Sequence, residues 1–129
     1  MITSFRMIRR SIALAGLVSL FSGMALADGP QAIATAVQHS GLAASGTNID
    51  AVHRHLHHVL NCLVGPDGDG FDAAQGNPCA AAGGAISQTA DAAMKMKLEM
   101  AATQVRGGSV NTNINAAKKV ATDVQVMLR

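Results

Sequence analysis

The chain has no tryptophan, no tyrosine and three phenylalanines, so 2% of its 129 residues are aromatic. Phe5 and Phe21 fall near the N-terminus, which leaves Phe71 as the single aromatic residue after position 27. Aromatic rings supply much of the apolar bulk of ordinary cores. A core without them has to be thin, with alanine letting helices approach closely. Chemistry-bearing signatures are also missing. No serine or cysteine sits in a recognisable nucleophile motif, and no glycine-rich phosphate loop follows a strand. The acidic residues are few and scattered, so a non-enzymatic protein is expected. The C-x-x-C-H signature for covalent haem is absent. Noncovalent haem, held by histidine and methionine, stays open, though one aromatic ring is little to pack on a porphyrin.

The N-terminus reads as an export signal. Arg6, Arg9 and Arg10 precede the uncharged run Ser11 to Leu26, and "ALA" at Ala25 to Ala27 fits a small-x-small cleavage site. Cleavage before Asp28 assigns residues 1–27 to the signal and residues 28–129 to a single helical domain, in the periplasm or secreted. The signal carries three of the ten basic residues and none of the eight acidic ones. The remainder holds seven Lys/Arg and eight Asp/Glu, a formal charge of −1. No cationic patch remains to bind nucleic acid or a membrane surface. No stable membrane insertion is expected once the signal is removed.

Apolar periodicity then predicts an all-α fold. Asp28, Pro30 and Gln31 form the start signal of a helix from about Pro30 to Ala44, with Ile33, Val37 and Ala44 inward. Thr47 is expected to cap a second helix, whose seam is Ile49, Val52, Leu56, Val59 and Leu63. Gly65 and Pro66 end it, and residues 65–86 read as a loop. Its "DGDGFD" segment lacks the register of a calcium loop and is read as turn chemistry. A third helix is expected from Ser87 to Arg106, with Ile86, Ala90, Met94, Leu98, Ala101 and Val105 on one face and Gly107-Gly108 as its stop. A fourth carries Ile114, Ala117, Ala121, Val124 and Leu128. "TNIDA" at Thr47 recurs as "TNINA" at Thr112, and the offset of 65 residues superposes the two seams. The expected architecture is an antiparallel four-helix bundle of two related hairpins, 28–64 and 87–129.

Against this repeat, one stretch stands out. "VHRHLHHVLNC" places His53, His55, His57 and His58 within six residues; the only other histidine is His39. The offset carries the four to Lys118, Val120, Thr122 and Asp123, and His39 to Gln104, so the architecture itself does not require imidazoles. His53 and His57 lie one helical turn apart, a spacing that offers two imidazoles to one cation. His55, His58 and Cys62 share another side. Imidazole suits copper, zinc and nickel. The expectation is a metal site on His53 and His57, completed by His39 or by His55 and His58. The competing reading is a helical adaptor that turns this histidine face to a protein partner. Cys62 and Cys79 are expected to pair, as cysteines of exported proteins do, with metal ligation by one of them as the alternative. Met94 fits the core. Met96 and Met100 share another face, where they either fill gaps or offer thioethers to Cu(I).

An alanine-rich exported chain with the cluster His53, His55, His57, His58 and His39 is similar to the small periplasmic histidine-rich metal-binding proteins of nitrifying and other proteobacteria. The resemblance implies divalent-metal binding, in buffering or copper tolerance. Those proteins spread histidine along the whole chain, whereas the second half here has none. The cysteine pair and the "GPDGDGFDAAQGNPC" loop lie outside their pattern.

Overall fold

Four long helices and one short one carry the described residues 29–129 of the computed structural model, with no strand among them. They are α1 (Gly29–Ser45), α2 (Ile49–Val64), α3 (Ala85–Gln88), α4 (Ala92–Ser109) and α5 (Ile114–Leu128). The export signal, its cleavage site and the cap expected from Asp28 lie outside these residues. α1 packs on α2 and α5, and α4 packs on the same two helices from the other side. Among the described residues no helix is long and apolar enough to cross a membrane.

The seam of α2 forms as its periodicity predicts. Val52, Leu56, Val59 and Leu63 are fully buried, with Ile49 at the margin. On α5, Ala117, Ala121, Val124 and Leu128 are buried in the same way. On α1 the buried stripe is Ala32, Ala36, Ser40 and Ala43 rather than Ile33, Val37 and Ala44, which sit at its edge. Small residues at the centre let α1 come close to its neighbours, and the larger side chains then close the flanks.

Capping shifts several boundaries. Asn48, not Thr47, caps α2; its side chain accepts from the Ala51 amide at 2.9 Å. The helix expected from Ser87 to Arg106 is broken. α3 ends at Gln88, Thr89 is extended, and the Asp91 carboxylate accepts from the Met94 amide at 2.7 Å to start α4. That cap turns Ala90 and Met94 outward, so neither joins the core. Gly107 and Gly108 do not stop α4, which continues to Ser109. Gly108 faces inward, where a Cβ would stand 2.8 Å from Val120 Cγ1 and 3.2 Å from Leu56 Cδ1. The glycine there permits close approach of helices instead of a left-handed cap.

The 65-residue offset reappears in contacts, not only in letters. Asn48 and Asn113, equivalent under it, each cap a helix. His53 Nε2–H donates to the Asn111 carbonyl at 2.9 Å, across the α4–α5 connection. Its equivalent Lys118 donates through Nζ to the Gly46 carbonyl at 3.0 Å, across the α1–α2 connection. Gly46 and Asn111 are themselves equivalent under the same offset. Each helical pair thus closes the turn of the other.

The segment between α2 and α4 departs from the repeat. Gly65, with φ 71°, ends α2. A 3-10 turn at Ala73–Gln75 follows. A disulfide joins Cys62 to Cys79, and both cysteines are buried. Neither is therefore a metal ligand. Closing a loop of this length stabilises the fold by about 3 kcal/mol through loss of unfolded-chain entropy.

Candidate metal centre

The seam fixes the rotation of α2, and the rotation distributes its histidines. With Leu56 and Leu63 pointed into the core, His55 and His58 lie toward α1. His39 on α1 meets them. His39 Nδ1 is 3.1 Å from His55 Nδ1 and 3.3 Å from His58 Nδ1. One nitrogen from each of the three rings falls within 4.8 Å of the others, a group able to hold a metal ion. Two nitrogens bound at about 2.0–2.1 Å to a tetrahedral ion stand about 3.3 Å apart, so the two distances from His39 Nδ1 match what a metal requires. All three rings are partly exposed, which leaves a path for an ion.

Proton placement strengthens the match. His58 Nε2 lies 2.7 Å from the carbonyl oxygen of Gln75. A carbonyl only accepts, so Nε2 carries the proton and the Nδ1 of neutral His58 is a bare lone pair. His39 Nδ1 faces two imidazole nitrogens and has at most one hydrogen to offer them. Hydrogen bonding within the cluster therefore cannot satisfy both short contacts at once. A cation would satisfy three lone pairs at once.

Two of the three rings are also held neutral. Burial, then the neighbouring His58 and His55, push the His39 pKa down to about 4. Burial, then His58 and Arg54, lower that of His55. Neutral imidazole is the ligand form, and at neutral pH no proton has to leave these two rings first. The unfolded chain takes up protons on these histidines near pH 6.5, while folded His39 resists until about 4. The contribution to stability is therefore complete above about pH 6.5 and is lost as pH falls toward 4. The His39 shift is worth about 3 kcal/mol undiscounted, and solvent screening at the half-exposed ring reduces this to about 1–2 kcal/mol. Urea unfolding at pH 7 and pH 4.5 should show that loss, and His39→Gln should remove it. An equal loss in His39→Gln would place the acid sensitivity elsewhere.

His53 and His57 stand apart from this group. They line a polar cleft with Asp50, Arg54, Gln75 and Ser109. His53 is engaged with Asn111 as described. His57 Nδ1 is buried without a hydrogen-bond partner among the described residues, and burial lowers the pKa of this ring against the raising effect of Asp72. The four histidines of α2 are thus split between two faces, and His39 of α1 joins His55 and His58 on one of them. Met94, Met96 and Met100 are 39%, 63% and 53% exposed and lie on α4, away from the histidine cluster.

Two contributors left little trace in the sequence. Gln75 acts through its backbone oxygen, for which no side-chain signal exists. Asn61 is a fully buried polar residue on α2. Its visible signal is an amide inside the apolar run "VLNCLV". Compared with protein families, curated proteins and solved structures, the chain matches none of them.

Proposed function

We propose that this is an exported, non-enzymatic metal-binding protein that holds one copper, zinc or nickel ion through His39, His55 and His58. Its scaffold is an antiparallel four-helix bundle of two related hairpins, and its role is metal buffering or tolerance in the periplasm. The observation that carries the reading is the convergence of three Nδ1 atoms, one of them made a lone pair by the Gln75 carbonyl. Three nitrogen ligands and partial exposure leave a coordination position for water or an exchanging ligand, as suits a protein that takes up and releases its ion. The adaptor reading rested on a single histidine face, and the division of the histidines between two faces gives it less support.

The test is equilibrium titration of tag-free protein with zinc and copper at pH 7.5. Binding tighter than about 100 μM is expected, weakened at least about tenfold in His39→Gln. His53→Gln, which keeps a donor for the Asn111 carbonyl, should bind within about twofold of wild type. Equal binding by wild type and His39→Gln would remove this centre, and loss of binding in His53→Gln would move it to the other face.

A further inference from the structure

Asn61 is the least expected residue in the interior. Under the 65-residue offset its equivalent is Val126, which is 68% exposed, so the repeat does not require a buried amide there. A buried amide is costly unless its hydrogen bonds are made. Asn61 makes three, all to one short segment. Its Nδ2 donates to the carbonyls of Asp72 at 2.8 Å and Gly76 at 2.7 Å. Its Oδ1 accepts from the Asp72 amide at 3.0 Å. Asp72 and Gly76 bracket the 3-10 turn that contains Gln75. The Gln75 carbonyl in turn receives His58 Nε2–H. One helical turn of α2 therefore presents both His58 and, three residues later, the amide that holds the acceptor of His58 in place.

We infer that Asn61 is a positioning residue of the metal centre, pinning the Asp72–Gly76 segment so that the Gln75 carbonyl fixes His58 as its Nε2–H tautomer. The inference rests on the metal reading above and extends it to the second layer of contacts. Partners of this kind fix which nitrogen faces the metal and raise its basicity, and losing one weakens binding about 10–100-fold. The disulfide anchors the loop only beyond this segment, at Cys79, so the local register at Gln75 depends on Asn61. Gly76 closes the turn at φ 86°, a left-handed conformation that favours glycine.

The experiment uses the whole tag-free chain and two readouts. Long-range proton–nitrogen correlation spectra give the tautomer of each histidine without metal, and competition with a chromophoric chelator gives zinc affinity. In wild type, His58 should carry its proton on Nε2. In Asn61→Ala, the two tautomers should mix and zinc binding should weaken about 10–100-fold. Asn61→Asp, which keeps the shape and the acceptor but loses both N–H donors, should behave likewise and serves where the alanine variant does not fold. Gln75→Ala should change neither readout, because the backbone oxygen does the positioning. A wild-type His58 protonated on Nδ1 would overturn the inference. So would folded Asn61 variants that keep the tautomer and bind zinc within twofold of wild type. If wild type binds no zinc, the metal reading fails; the tautomer spectra of the variants still decide whether Asn61 positions His58.

Discussion

Leu56→Ala is expected to lower the unfolding free energy by about 2–5 kcal/mol, the range for a fully buried leucine truncated to alanine. Leu56 has no exposed surface and lies in the α2 seam. It reaches Gly108 of α4, where the absence of a Cβ leaves room for its Cδ1. With no aromatic residue in the core of the described residues, neighbouring alanines have few atoms with which to fill the space left behind. The cost should therefore fall toward the upper part of the range. The equivalent position on α5 is Ala121, also fully buried. Ala121→Leu should destabilise by about 1–3 kcal/mol through overpacking, since Ala121 is fully buried and a leucine adds three carbons there. Urea unfolding checks both. A loss below about 0.5 kcal/mol for Leu56→Ala would place the residue outside the core.

Metal should produce the other large effect. An ion that binds only the folded chain, at a hundredfold excess over its Kd, adds about 2.7 kcal/mol of stability. For a domain of about 100 residues this raises Tm by about 10–20 °C. The rise should vanish in His39→Gln/His58→Gln and persist in His53→Gln. It should also shrink as pH falls toward 4, where His39 takes up its proton and competes with the ion. Thermal unfolding followed by circular dichroism, with zinc and with a chelator, reads all of this. A zinc-dependent rise of the same size in His39→Gln/His58→Gln would assign the stabilisation to another group.

Period and spacing made much of this legible in advance. The seams of α2 and α5 could be read because large apolar residues recur at helical steps. The stripe of α1 could not, because alanine is too common in this chain to mark a face, and the bulkier Ile33 and Val37 drew attention to the flank. The expected third helix failed at Asp91, where a side-chain cap outweighed an apolar pattern carried mostly by alanine and methionine. The grouping of His55 with His58 followed from steps of three and four. Which set His39 would join did not, because that depends on how α1 is seated on α2, a tertiary property. The engagement of His53 lay further out of reach, since its acceptor at Asn111 is 58 residues away. The second layer was hidden for a different reason: a backbone carbonyl at Gln75 has no letter of its own.

Anomalous diffraction from crystals of the zinc-loaded, tag-free protein, collected on both sides of the zinc edge, locates the ion directly. The expected result is one edge-dependent peak about 2.0–2.1 Å from the Nδ1 atoms of His39, His55 and His58. A peak in the cleft beside His53 and His57, or no peak on the histidine cluster at full zinc loading, would contradict the assignment of the metal centre.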